Sequence, residues 1–380
     1  MKQNIVTAIR DMVSPSMRYE IRKLIALFQE QLDRALLWNW EVARISRSED
    51  DQYEVIYIGR RTRRNLAIAL LNADRDININ TKRTYESNGK IIVSEIPSRG
   101  ALCVPPYLNS IVPLTKPIEE ITSHFHGQLR RYLKNNRIGY RLQQVMDSAD
   151  IERVDNEMLR PYANARHGYG AAQVGLDDIK RLAQNSGRLD LLLLEDEVVG
   201  CQLGCMFTRA GKRYWSVIRC GYPEAVFSDL RRLKDTNSMN IHLGLEWAIN
   251  NGFDYYDMGM ALGRPGDGLL EWKRRRGGEL DIMANPGYIY IQLPRVGVAG
   301  FLWTAPLFAV EHHKLTLHLG LPDARNDNEI MDRYREMGFG GLSKVYLHCA
   351  KLPSDRLVEF FRGLYKHQQS PPVMEIIPST

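Results

Sequence analysis

One stretch, Asn240 to Gly278, constrains this chain more than any other: NIHLGLEWAINNGFDYYDMGMALGRPGDGLLEWKRRRGG. Leu243, Leu245, Trp247, Ala248 and Ile249 predict a helix, with Ser238 or Asn240 as its cap and Asn251–Gly252 as its stop. FDYYDMG follows as a strand, then a glycine-rich turn over 263–268, then a strongly basic run. Helix starts gather anions, and strand ends in α/β proteins open ligand crevices. This order therefore sets two candidate binding positions close together.

The residues upstream give that stretch a sheet to join. Apolar runs at 189–195, 198–207 and 213–220, separated by the polar turns DEVVG and RAGKR, predict three sequential antiparallel strands. A meander followed by a helix and a parallel return is a mixed α/β arrangement with a crevice at the strand ends. Before it, 118–137 predicts a basic amphipathic helix, 140–146 a strand, 149–165 a helix and 176–184 a short helix. At the start of the chain, 19–44 predicts a helix with Leu24, Leu27, Phe28, Leu32, Leu36 and Leu37 on one face. Strands are expected near 53–59, 66–71 and 90–96, and prolines at 97, 105, 106 and 113 interrupt regular structure. After 295, helices are expected at 301–318, 325–336 and 352–366, with an exposed tail or edge segment last. The domain reading is an α+β lobe at 1–117, a mixed α/β domain at 118–293 and a helical or mixed extension at 294–380.

Composition narrows the classes. With 44% apolar and 25% charged residues, the 380-residue chain has the make-up of folded, soluble protein. A net charge of +6 permits an anionic partner without requiring one. The five cysteines form no close pair, which argues against zinc and against a disulfide framework, and fits a reducing compartment. His312 and His313 are adjacent and point apart, so no metal is expected. No signal peptide is read at the start. The apolar run 296–310 is short and broken by Pro306; burial is its plain reading, with a membrane-surface or partner-facing role as the alternative. The expected location is the cytoplasm, with peripheral contact at the inner membrane surface as a variant.

Taken together, HGQLRRYLKNN, LLLLEDEVVGCQLGCMF, RYWSVIRCGY, IHLGLEWAINNG, FDYYDMG and GDGLLEWKRRRGG resemble a GNAT fold, specifically the FemAB-like and cellulose-biosynthesis-type acetyltransferase group. The resemblance covers 118–293. It implies a central mixed sheet flanked by helices and, through the paired domains common in this group, a divergent first GNAT-like domain at 1–117. It also implies transfer of an acyl or aminoacyl group to an amine, from acyl-CoA or from aminoacyl-tRNA. The chain departs from coenzyme-A-binding relatives in one respect: LKDTNSMN precedes Ile241 where a glycine-rich pyrophosphate loop would stand.

Direct acyl transfer needs a neutral amine, a proton acceptor and a donor to the developing oxyanion. Asp257, at the end of DYYD, is the candidate acceptor-side carboxylate, or a turn cap. Tyr256 is a candidate acid for the leaving group, or a packing residue. His242 and Glu246, four apart, would share a helix face as a base and its orienter, or as a surface pair. Ser238, Asn240 and Ile241 at the expected helix start, with Lys273 and Arg276, are candidates for an anionic donor. Lys273 also matches the lysine of the family-like WKRRRGG stretch. Arg130 and Lys134 would form an anionic-substrate rim, and Asp267 would bind an amine or fix its own turn. The leading expectation is an acyltransferase acting from a thioester, acyl-CoA first, on an amine of a small metabolite, amino sugar or peptide. The alternatives are a tRNA-bound or carrier-bound donor, or an inactive binding or membrane-surface protein on the same fold.

Overall fold

The computed structural model describes residues 24, 28, 32, 40–45, 53–72, 77–78, 90–167, 175–282, 287–294, 296–368 and 370–378. The chain forms two compact units that interleave along the sequence. The first takes Met1–Arg22, Ile111–Gly259 and Arg275–Gly278; the second takes Lys23–Ser110, Met260–Arg274 and Glu279–Thr380. These units do not coincide with the three consecutive blocks expected from the sequence, since 23–110 and 279–380 share one unit.

In the first unit five strands of a seven-stranded sheet run in the order Tyr255–Leu262, Lys212–Gly221, Glu197–Arg209, Gly187–Leu194, Tyr140–Val145. The last three neighbouring pairs are antiparallel, as the apolar runs and polar turns predict. The first pair is parallel, and the crossover between its strands is the Leu230–Asn250 helix. On one side of the sheet Val145, Ile151, Leu159, Ile179, Leu189, Leu191 and Leu203 build a core with the Ser148–Val154 and Leu176–Arg181 helices. The expected single helix over 118–137 is two, Ile118–Ser123 and Gly127–Asn136.

The second unit holds two sheets. One has the order Ile77–Asn78, Trp40–Ile45, Glu54–Arg60, Lys90–Ser94, Ile289–Gln292, Leu102–Val104; the other Leu307–Glu311, Lys314–Leu321, Lys344–Cys349, Val373–Pro378. Several expectations are corrected here. Residues 40–45 are a strand rather than the end of a helix, and Ala43 and Ile45 enter the core by alternation. The 66–71 run is helical, within Arg64–Leu70, because Ala67, Ile68 and Leu70 bury one face. The proline-rich segment still contributes the strands Leu102–Val104 and Tyr107–Pro113. The 301–318 helix is instead a short one, Val298–Thr304, followed by the hairpin Leu307–Glu311 and Lys314–Leu321. Most of the 296–310 run is buried, with Phe301, Leu302, Leu307 and Phe308 in the core, while Val296 at its start is 68% exposed. Of the 19–44 helix, Leu24, Phe28 and Leu32 are helical and exposed, and the rest up to residue 39 lies outside the described residues. Among the described residues no helix is long and apolar enough to cross a membrane.

Candidate active site

The parallel pair in the first unit is joined over a short ladder only. Tyr214 lies opposite Tyr255, Trp215 opposite Tyr256 and Ser216 opposite Asp257, and there the register ends. Both strands continue past that point, to Gly221 and Leu262. One residue after Ser216, the Lys212–Gly221 strand slips register against Glu197–Arg209, between Val217 and Arg219. Such a bulge bends its strand and takes a residue out of the ladder.

Asp257 sits at the end of this ladder and is 4% exposed. Its Oδ2 accepts from Ser216 Oγ at 2.9 Å and its Oδ1 from the Gly259 amide at 2.8 Å. Gly259 has φ +76°, a conformation that glycine adopts freely and that turns its amide back toward the carboxylate. The carboxylate is therefore fixed at both oxygens, and Ser216 is a hydrogen-bond partner that the sequence pattern did not single out.

The strand alternation separates the candidates. Tyr256 is fully buried, and a methyl group on Gly244 would lie 2.6 Å from its hydroxyl, so Tyr256 faces the Leu230–Asn250 helix. Gln202 Nε2 donates to Tyr256 Oη at 2.9 Å, and burial pushes the phenol well above its usual range. Asp257, one residue on, faces the opposite side of the sheet. His242 and Glu246 do pair as expected, at 3.1 Å. Arg137 also grips Glu246, through Nη2 at 2.7 Å and Nε at 3.2 Å. Burial opposes the charge on Glu246, but the hydrogen bonds from His242 and Arg137 outweigh it and lower its pKa to about 2. This pair lies on the helix that covers the Tyr256 face, so the sheet divides it from Asp257.

The expected helix start is also moved. The helix begins at Leu230, and Asp229 caps it, accepting from the Arg231 and Arg232 amides at 2.8 and 3.1 Å. Ser238, Asn240 and Ile241 are therefore buried mid-helix residues. Ser238 Oγ donates to Lys234 O at 2.7 Å, and Asn240 Nδ2 donates to Cys201 O at 3.2 Å. Arg276 is 5% exposed; its Nη2 donates to Ser238 Oγ at 2.8 Å, and burial lowers its pKa to about 9. Arg130 and Lys134 are exposed on the Gly127–Asn136 helix. In the second unit, Lys273 is 2% exposed and donates to Met260 O at 2.9 Å, while Asp267 accepts from the Leu269 and Leu270 amides at 3.1 and 3.0 Å. Lys273 is thus an internal tether, and Asp267 fixes its own turn. Among the described residues no group of three or more His, Cys, Asp or Glu side chains is arranged to hold a metal ion.

No protein-family model matches the chain, and no curated protein matches it. Among solved structures it is similar to FemX, at 12% identity and TM-score 0.37, over 69% of this chain and 90% of that one. It is similar to L-PGS from Bacillus licheniformis at 16% identity and TM-score 0.33, over 71% and 90% of the two chains. A GCN5-related N-acetyltransferase from Sphaerobacter thermophilus gives 13% identity and TM-score 0.29, over 66% and 74%. At these values the likenesses decide neither activity nor substrate.

Proposed function

We propose that the chain is an N-acyltransferase whose reaction centre lies in the first unit, where the parallel strands stop pairing beside Asp257. The observation that supports this reading is the ladder end itself: pairing stops at Ser216 and Asp257, and past Val217 the same strand bulges against its other neighbour, Glu197–Arg209. A bulge frees a backbone amide from the ladder, and a freed amide can donate to the oxyanion that forms on an attacked acyl carbonyl. In the reaction, the acceptor nitrogen bonds to the acyl carbon and the carbonyl pair moves onto oxygen. Collapse expels the thiolate or alkoxide. The proton lost by nitrogen passes to Asp257, whose position Ser216 and Gly259 hold. The acceptor is an amine of a small metabolite, amino sugar or peptide.

Acyl-CoA and aminoacyl-tRNA both carry a suitably activated acyl carbon. The Asp229 cap favours the second, because the amides at the helix start already bind a carboxylate and a pyrophosphate would have to displace it. The exposed Arg130, Arg131 and Lys134 on a helix without acidic residues add a surface suited to a polyanion. Lys273 and Arg276, being buried, have no part in donor binding in this reading.

The test measures transfer from acetyl-CoA and from charged tRNA to an amine panel, before and after Asp257→Asn. We expect kcat to fall by about 100-fold or more, the usual scale for a lost general base, while the thermal unfolding transition stays cooperative. Unchanged turnover under chemistry-limited conditions removes Asp257 from the mechanism. Coenzyme A binding well below millimolar to the unaltered chain would overturn the preference for a tRNA donor.

A further inference from the structure

The second unit contains a cavity of about 520 Å³ that has no part in the acyl-transfer reading. Its size lies within the range of small-molecule sites. The 340–343 segment joins two of its walls. Leu280 N donates to Gly340 O at 2.9 Å on one side, and Ser343 N donates to Leu315 O at 2.8 Å on the other. The first wall brings Glu279 and the second brings Lys314 to the lining. Both walls are fixed by backbone hydrogen bonds, so the cavity is preformed.

Among the described residues, no hydrogen bond or ion pair reaches the Glu279 carboxyl or the Lys314 ammonium. Glu279 is partly buried and Lys314 is exposed at the rim. Burial raises the Glu279 pKa, and no neighbouring charge offsets it. Gly340 makes room for it: a methyl group there would come within 2.7 Å of Glu279 Cγ. The rest of the lining is mixed, with buried Leu280 and Leu315 beside Ser343, His313 and a second carboxylate, Asp281, which is engaged in an interaction of its own.

Charge logic narrows the occupant. A simple cation would gain Glu279 but meet Lys314; a simple anion would gain Lys314 but leave Glu279 unanswered. A molecule with both charges satisfies both and leaves no buried charge alone. We infer that this cavity is a binding site for a small zwitterion, with its primary ammonium at Glu279 and its carboxylate or phosphate at Lys314.

The experiment uses the full chain and a graded set of probes: glycine, β-alanine, 4-aminobutyrate, 5-aminopentanoate and phosphoethanolamine, with butylammonium and butyrate as single-charge controls. Binding is read by calorimetry and by ligand-detected NMR. At least one zwitterion should bind about 10-fold or more tighter than either control. Glu279→Gln should weaken it by about 10-fold, Lys314→Met should weaken it similarly, and Gly340→Ala should weaken it by displacing Glu279. Carboxylate against phosphate among the probes separates the two anionic ends. If no zwitterion outcompetes the controls, or if Glu279→Gln binds as before with its fold intact by circular dichroism, the inference is wrong. None of these readouts depends on acyl transfer, so either proposal can fail alone.

Discussion

The two units each contain a parallel strand pair built on the same plan, and the ends of those pairs differ. In the first unit Lys212–Gly221 and Tyr255–Leu262 pair for three residues and then stop at Ser216 and Asp257. In the second, Glu54–Arg60 and Lys90–Ser94 pair from Glu54 opposite Lys90 through to Ile58 opposite Ser94, and Glu95 N extends the contact to Ile58 O at 3.1 Å. Each pair follows an antiparallel hairpin, Glu197–Arg209 with Lys212–Gly221 and Trp40–Ile45 with Glu54–Arg60. The second pair is closed off by charge. Glu95 is fully buried and accepts from Tyr57 Oη at 2.9 Å, Arg60 N and Nε at 2.8 Å each, and Arg63 Nη1 at 3.3 Å, with Arg60 Nη2 as a further donor. Burial resists the Glu95 charge, but these arginine contacts prevail and lower its pKa. Carboxyl ends of parallel strands are where α/β proteins bind ligands. One end here is spent on internal ion pairing, and at the other Ser216 and Gly259 position the Asp257 carboxylate. The plan supplies the location, and the side chains at the ends determine whether it can serve chemistry.

The sharpest way to break this comparison is to disarm the closed end. Glu95→Gln should destabilise the chain by about 3–5 kcal/mol, because it leaves buried guanidinium charge without its carboxylate. Denaturant unfolding measures this, and turnover per folded molecule should not change. A loss below about 1 kcal/mol would mean that the end is not held by charge.

A smaller effect concerns the second unit alone. His318 Nδ1 and His348 Nε2 lie 3.1 Å apart in the Lys314–Leu321 and Lys344–Cys349 strands, with Thr316 and Glu311 beside His318. Burial, and for His318 also the neighbouring His348, lowers their pKa values from 6.5 to about 3 and about 4. Both rings are kept neutral in the fold, so their contribution to stability is complete above pH 6.5 and is lost as pH falls toward 4. The slope is at most about 1.4 kcal/mol per pH unit for each ring that titrates only on unfolding. Urea midpoints at pH 7 and pH 5 test the sign, and His318→Gln should flatten the difference.

The smallest effect belongs to the shorter ladder. Ser216→Ala removes one hydrogen bond to Asp257 and should cost about 0.5–1.5 kcal/mol of stability. Its distinguishing readout is the kcat profile across the amine panel, which should drop because Asp257 loses one of the donors that hold it. A profile that stays in place would show that Ser216 serves only the fold.

Much of the first unit was legible because its signals are local. Polar turns between apolar runs gave the meander, and Asn251–Gly252 gave the end of the helix. The hairpin after residue 306 was not legible, for a specific reason. Its two-residue turn is His312–His313, with φ of +47° and +61°, where such turns ordinarily advertise themselves with asparagine or glycine. The Trp40–Ile45 strand was hidden by a preceding helical pattern whose spacing carried into it. At the site, Asp257 and the His242–Glu246 pair could be named from residue types and spacing. Their separation by the sheet could not, because it depends on which face of a strand meets the helix. The ladder's early end is likewise a property of register between distant segments.

Asp229 carries one more consequence. By filling the first turn of the Leu230–Asn250 helix with a carboxylate from its own chain, the protein holds that dipole end in a self-saturated state. A single substitution, Asp229→Gly, would expose those backbone donors without disturbing the core. A helix start occupied by its own carboxylate and one with free backbone donors are then a single side chain apart.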